Sequence, residues 1–257
     1  MSPFNIEDQF YHTSPLNLIL IILIGFIFFF LSIIYTNQLK VNDNISFSKY
    51  VCLKCYFEYN LRSLFSLFIN SIKGFSCINC KNRFGLFSLI LSIFFITFIL
   101  LNFLFFDLTD AVFFSVLQIF LYSIMVIDFD MMIINIQSIV IILLIGVIYK
   151  LTKFDFDLYI LQDMILGFII GWSLIFTISN LYCLIRKEQG FGSGDKWLLG
   201  ALGLWFGYYN IVIIFFGSCI FSTFFIFIMN LQKDTIMKKV PIGSFFCLTS
   251  LLHLFFI

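Results

Sequence analysis

The sequence predicts an all-α polytopic membrane protein of about eight transmembrane helices, on three observations. Of its 257 residues, 61% are hydrophobic and only 11% charged, and the mean hydropathy is +1.07, well outside the range of a soluble globular domain. Charge-poor stretches of roughly 20 apolar residues, the length a helix needs to cross a bilayer, recur along almost the whole chain. These runs are continuously apolar where barrel strands would alternate, which excludes an outer-membrane β-barrel.

Taken in order, the spans fall at about 16–35, 86–106, 111–127, 134–149, 158–183, 197–208, 211–230 and 241–257. The first, Leu16 to Tyr35, follows a tail carrying Glu7 and Asp8. It has no basic segment before it and no A-x-A-like site after it, so it is expected to stay as a helix and not to be removed as a signal. The sixth is too short to cross alone and is expected to be tilted, partly re-entrant or extended by its flanks. The expected division is residues 1–35 as an external N-terminus with the first helix, 36–85 as a polar loop, and 86–257 as the main transmembrane domain.

Charge sets the orientation. All but Lys150 and Lys153 of the 15 Lys and Arg residues lie between the first two spans, before the sixth, or before the eighth. With eight spans those three segments share one face, and the bias of basic residues makes that face cytoplasmic, with both termini outside. The turn after the third span, Asp128 to Asn135, falls on the same face, together with the Gly-rich segment around Asp195.

The polar loop contains Cys52-Leu53-Lys54-Cys55 and, after a gap of 21 residues, Cys77-Ile78-Asn79-Cys80. Each pair lets two thiolates converge from one tight turn, and four sulfurs suit a closed tetrahedral zinc. The fold class is therefore completed by a cytoplasmic zinc-binding loop. Disulfides or redox use are the competing reading, disfavoured in a reducing cytoplasm. A closed four-thiolate site leaves no position for substrate, so the zinc is expected to staple the loop and not to perform chemistry. Cys183, Cys219 and Cys247 sit in apolar runs and are expected to be small core residues.

Acids at the edge of a membrane span are functional candidates by default. Asp107, Asp110, Asp155, Asp157, Glu188 and Asp234 fall in turns and loops where solvated charge explains them. Asp163 lies just inside the fifth span, within reach of external water. Asp128 differs because it closes an uninterrupted apolar span in Met125-Val126-Ile127-Asp128-Phe129-Asp130. Asp195 precedes the sixth span in Gly190-Phe191-Gly192-Ser193-Gly194-Asp195-Lys196, where Gly192 and Gly194 allow close backbone approach. Two carboxylates sharing a site do not both ionise cheaply, so the pair supplies one base and one acid. The ionised group can draw a proton from a water attacking a peptide carbonyl while the protonated group donates to the carbonyl oxygen. His12 and His253 both fall at the external ends, and the sequence has no serine-nucleophile motif.

These residues resemble the bacterial type IV prepilin peptidase family, bifunctional leader peptidases and N-methyltransferases of pilus and type II secretion systems. The resemblance rests on four blocks in order. They are the paired CxxC loop, the IDxD turn at Ile127 to Asp130, GSGDKWLLGALGLWFG from Gly192 to Gly207, and KKVPIGSFF from Lys238 to Phe246. It implies a GxGD aspartic endopeptidase whose catalytic aspartates are Asp128 and Asp195, and it selects Asp128 over Asp130. Gly192, Gly194, Lys196 and Asp130 would be supporting residues, and Cys52, Cys55, Cys77 and Cys80 the metal ligands. The implied substrates are prepilins and pseudopilins, with a short basic leader before a hydrophobic helix. Cleavage would fall at the cytoplasmic face of the inner membrane, followed by N-methylation from S-adenosylmethionine. Asp130 could attract the basic leader. The implied location is multi-pass in the bacterial inner membrane, with the active site facing the cytoplasm and the bilayer as surroundings; no nucleic-acid partner is expected.

The chain departs from the family pattern at Asn135 and Ser244, where Pro is usual, and at Trp197, where a Lys is usual and Lys196 stands one place earlier. The family's YPxxE stretch has no counterpart in Phe84-Gly85-Leu86-Phe87-Ser88, and the first span has no clear GSFxN element. Two other classes compete. A presenilin-like GxGD intramembrane protease would usually show a YD pair and a PAL element, replaced here by Ile127-Asp128 and Val240-Pro241-Ile242. An inactive zinc-bearing scaffold of a secretion or pilus complex is separable only by assay.

Overall fold

The computed structural model describes residues 50–51, 58–59, 86–154, 157–187, 190–232 and 240–256. The first expected span and the cysteines Cys52, Cys55, Cys77 and Cys80 lie outside the described residues. The chain divides into two compact units, Met1–Ile119 and Phe120–Ile257.

In the first unit, strands β1 (Tyr50–Val51) and β2 (Glu58–Tyr59) pair antiparallel, Tyr50 opposite Tyr59 and Val51 opposite Glu58. That pairing brackets Cys52 and Cys55 in sequence. Helix α1 (Leu86–Phe105) is followed by α2 (Leu108–Met131), whose first half belongs to this unit. Asn102, Ser115 and Gln118 are fully buried among apolar side chains. The Asn102 amide donates to Ser115 Oγ at 3.3 Å, and Gln118 Nε2 donates to Asn102 Oδ1 at 3.1 Å. Such interhelical bonds in apolar surroundings are worth about 0.6 to 2 kcal/mol each and fix the register of the two helices.

The second unit contains the end of α2, then α3 (Ile136–Phe154), α4 (Leu158–Arg186), α5 (Ser193–Gln232), α6 (Ile242–His253) and a 3₁₀ turn, Leu254–Phe256. Each end has a local cause. Met132 takes a left-handed conformation, φ 55°, and its N–H returns to the Asp128 carbonyl at 2.9 Å, which stops α2. Asn135 Oδ1 accepts from Gln137 N at 2.8 Å and caps α3. This gives a reason for Asn at a position where the resembled family has Pro. Asp157 caps α4 through Tyr159 N, and Lys187, φ 57°, closes it by donating to the Cys183 carbonyl at 2.9 Å.

Among the described residues, four helices are long and apolar enough to cross a membrane: Leu108–Phe129, Ile136–Lys153, Leu158–Arg186 and Ser193–Leu231. The apolar helices Phe94–Phe105 and Ile242–Phe256 are shorter. Apart from the short β1–β2 pair, the described elements are thus helical, as the predicted class requires. The expected sixth and seventh spans are the two arms of α5, which follow one another across a break. α5 has 40 residues, about 60 Å if straight and nearly twice the hydrocarbon thickness. It is broken at Gly207, whose φ of 84° and ψ of 173° are not helical. The break divides α5 into a short first arm, residues 193–206, and a longer second arm, residues 208–232.

The first arm is held by α4. Gly167 and Gly171 of α4 face Gly203 and Leu199 of α5, so the helices run antiparallel with their backbones in contact. A Cβ on Gly167 would run into the Gly203 carbonyl, and one on Gly203 into the Gly167 carbonyl. Small residues at four-residue spacing permit this approach, as they do generally between membrane helices. The same register brings Asp163 to the break. Its Oδ1 accepts from Tyr208 N at 3.0 Å, capping the second arm where Gly207 leaves an N–H without a helical partner. Asp163, expected only to reach external water, is therefore a cap. On the other side, Gly146 of α3 makes room for Trp205, whose Nε1 donates to the Ile142 carbonyl at 2.9 Å and whose ring stacks on Tyr149.

Candidate active site

Two helix N-termini converge on one point. At the start of α5, Gly192 precedes the first helical turn and Asp195 is its third residue. The Asp195 side chain folds back so that Oδ2 accepts from Gly192 N at 2.8 Å. This is the geometry in which an acid three residues into a helix satisfies the N–H of the capping position. At Gly194 a Cβ would come within 2.9 Å of the Ile134 side chain, so the G-x-G spacing keeps the turn bare where it meets the segment after α2.

α6 starts after Pro241 with no side-chain cap of its own. Its free N-terminal N–H groups meet a carboxylate from another helix. Ser244 N donates to Asp128 Oδ2 at 2.7 Å, and Ser244 Oγ lies 3.0 Å from the same oxygen and 3.0 Å from the Met125 carbonyl oxygen. Asp128, at the end of α2, thereby caps a helix 116 residues away in sequence. Phe129, the next residue, packs edge-on against Phe225 of α5 and Phe245 of α6, with centroids 5.9 and 5.7 Å away, and ties the end of α2 to both helices.

Gly243 lies between the acids. A Cβ built on it would be 3.0 Å from Asp128 Oδ2 and 3.3 Å from Asp195 Oδ1, so those two oxygens are separated by at most the sum of these distances. A water bridging them with two ordinary hydrogen bonds requires a separation below that bound. Both acids are buried, Asp128 to 4% exposure and Asp195 to 8%, which keeps bulk water from screening one from the other.

Of the residues singled out in the sequence, Asp128, Asp195, Gly192 and Gly194 come together here. Lys196 turns away, its Nζ 5.7 Å from the Phe176 ring centroid on α4. Trp197, where the resembled family has a lysine, packs near Trp172 and Phe168 on the same helix. Asp130 lies in the last turn of α2. Of the other cysteines, Cys247 is buried as expected, Cys219 is half-buried, and Cys183 is exposed at the end of α4. Sequence reasoning did not find Gly243, Ser244 or Ile134 as site residues. A Pro-x-Gly-Ser start to an apolar run is a helix-start signal, but nothing in it says which side chain the free N–H groups will meet.

The fold and site define a multi-pass helical membrane protein with two buried carboxylates that converge at helix N-termini. Residues 115–227, which include both aspartates, match the type IV leader peptidase family. A stretch of 118 residues is 28% identical to a prepilin leader peptidase/N-methyltransferase of Neisseria gonorrhoeae, covering 46% of this chain and 40% of that protein. Over 86 residues it is 27% identical to a protein of the same description from Aeromonas salmonicida (strain A449) and 24% identical to one from Pseudomonas putida. Each of these covers 33% of this chain and 30% of the relative. The matches thus span less than half the length of these relatives. No solved structure matches the chain.

Proposed function

We propose that this protein is a membrane aspartic endopeptidase that removes the basic leader from type IV prepilins and pseudopilins, in support of pilus biogenesis or type II secretion. The observation that carries the reading is the convergence of Asp128 and Asp195 on Gly243. The family match of residues 115–227 and the descriptions of the relatives suggest the substrate class.

The hydrogen bonds support a division of roles. Asp128 Oδ2 is in range of two donors, the Ser244 N–H and hydroxyl, whereas Asp195 accepts one, from Gly192 N, so the charge is favoured on Asp128. In this reading the shared proton is held by Asp195 on Oδ1, the oxygen nearer Gly243. Asp128 takes a proton from the bridging water as its oxygen attacks the scissile carbonyl carbon. Asp195 gives its proton to the carbonyl oxygen. In the collapse of the tetrahedral intermediate the C–N bond breaks and the amine leaves with the proton held by Asp128. The new carboxyl returns a proton to Asp195. No covalent nucleophile takes part.

The reading takes the face rich in Lys and Arg as cytoplasmic and retains eight spans, with the chain divided at residues 35 and 85. A prepilin would dock its hydrophobic helix in the inner membrane, with its basic leader drawn toward Asp130. Four thiolates at two CxxC spacings suit zinc, so Cys52, Cys55, Cys77 and Cys80 would hold the metal as a staple of the loop; the β1–β2 pairing around the first pair is consistent with a knuckle. N-methylation of the new N-terminus, with S-adenosylmethionine as methyl donor, is proposed from the relatives' descriptions.

The test is incubation of the reconstituted protein with a prepilin carrying a basic leader, beside Asp128→Ala and Asp195→Ala. Wild type is expected to release the leader, and each variant to lose activity by at least about 10³-fold. A wild type that leaves the leader intact points to the scaffold reading, and cleavage within the transmembrane part of the substrate points to the presenilin-like one. An alanine variant that cleaves at the wild-type rate removes the two-aspartate mechanism. Mass spectrometry of the mature N-terminus reads the methyl group.

A further inference from the structure

Ser244 is buried completely and stands between two acceptors that its single hydroxyl proton cannot serve at once. Asp128 Oδ2 and the Met125 carbonyl oxygen are both 3.0 Å from Ser244 Oγ. Both belong to α2, one turn apart, while Ser244 comes from α6. The Ser244 N–H is committed to Asp128 Oδ2 at 2.7 Å, so only the hydroxyl is free to choose.

The choice depends on the charge of Asp128. An ionised carboxylate accepts a hydrogen bond about twice as strongly as a neutral acceptor, so the hydroxyl donates to it while Asp128 is a base. Once Asp128 has taken the proton of the attacking water, its oxygen is a neutral acceptor and loses that advantage over the peptide carbonyl. The carbonyl of Met125 has a second lone pair beyond its helical bond and sits at the same distance. Rotation about one side-chain bond then satisfies the hydroxyl again. For a hydroxyl this buried, a single acceptor would leave it stranded in one half of the cycle, at the cost of desolvating an unpaired polar group.

We infer that Ser244 is a positioning residue acting as a hydroxyl rotor, donating to Asp128 when the carboxylate is ionised and to the Met125 carbonyl when it is protonated. The rotor lets the base change charge during each turnover without moving a helix. No bond to a heavy atom is made or broken at Ser244; only its hydroxyl hydrogen changes direction. This inference rests on the two-aspartate reading. Among the described residues, the titratable groups within electrostatic range of Asp128 include Asp195 from α5 and Cys247 from α6. The acid limb of activity therefore belongs to the Asp128–Asp195 pair, not to one residue.

The experiment is the pH–rate profile of leader removal by the reconstituted full chain as wild type, Ser244→Ala, Ser244→Thr and Asp128→Ala. Ser244→Ala retains the N–H and loses the rotor. Its acid limb is expected to move to higher pH by about one unit, because the ionised base has lost a donor, with kcat falling more than KM rises. Ser244→Thr restores the hydroxyl and is expected to return the limb to the wild-type position. An unmoved limb in Ser244→Ala, with activity either unchanged or lowered equally at every pH, overturns the rotor and leaves the two aspartates standing. Full activity in Asp128→Ala overturns both. Should Ser244→Ala not fold, infrared difference spectra of wild type labelled with ¹³C-carbonyl methionine give the same answer. A labelled amide band is expected to shift as the acid pair titrates and to stay still in Asp128→Asn; a still band in wild type overturns the rotor.

Discussion

Gly167 and Gly203 meet backbone to backbone, each leaving no room for a Cβ beside the carbonyl of the other. Through this contact α4 holds the short arm of α5 that begins with Asp195, so packing far from the acids sets where one of them sits.

Gly167→Ala or Gly203→Ala therefore forces the two helices apart, because the obstructing atoms are backbone and cannot rotate away. The expected loss is about 1 to 3 kcal/mol, seen as a lower melting temperature in detergent, together with reduced leader cleavage. Gly217→Ala is the control. Its Cβ would stand 3.4 Å from the Thr249 methyl, an ordinary contact, and stability should change by less than about 0.5 kcal/mol. Equal effects at Gly167 and Gly217 would count against the proposed role of the contact.

Gly243→Ala places a methyl group between the carboxylates. Its nearest neighbour, Ile134 Cδ1 at 2.6 Å, is the far end of a flexible side chain and can move, so the protein is expected to fold. The acid oxygens cannot yield without spoiling the water site. Cleavage should fall by about 10²-fold, since displacements of around 1 Å carry losses of that size, while the melting temperature stays near wild type. Retained activity would mean that the water does not sit where the two oxygens face each other.

Asp163→Ala removes the cap at the α5 break and should cost about 1 to 2 kcal/mol in thermal melts; Asp163→Asn keeps an acceptor for Tyr208 N and should retain most of the stability. If the two variants melt alike, charge and not capping explains the residue.

Metal analysis of the purified full chain is expected to find about one zinc per protein, retained on dialysis and lost on replacing Cys52 and Cys55 by Ser. Absence of zinc in protein with intact thiols would remove the metal from the proposal. Leader cleavage by a zinc-depleted but folded protein would agree with a staple, and its complete loss at intact fold would argue for a closer role.

The membrane class and the two aspartates were legible because their signals are local. Continuous apolar length identifies a helix that lipid can accept, and an acid at the end of such a run stands out against it. Asp128 could be separated from Asp130 only by resemblance, since both close the same run. The site around them was not legible because its parts are distant in sequence. Ser244 reads as one polar residue in an apolar helix until the N-terminus of α6 is seen to lie against α2. The sixth and seventh spans, expected at 197–208 and 211–230, are separated by a break, and its exact place depended likewise on one backbone conformation at Gly207.

By itself, then, the sequence determined that the chain folds as apolar helices suited to a membrane, where its acids interrupt the apolar runs, and that four cysteines fall in two CxxC pairs, because each of these follows from composition within a few neighbouring residues. Tertiary structure alone decided that Asp128 caps α6, that Asp195 folds back on Gly192, and that both carboxylates approach Gly243. The physical reason is that hydrogen bonds at helix ends and contacts between bare backbones are made by whichever groups packing brings within about 3 Å.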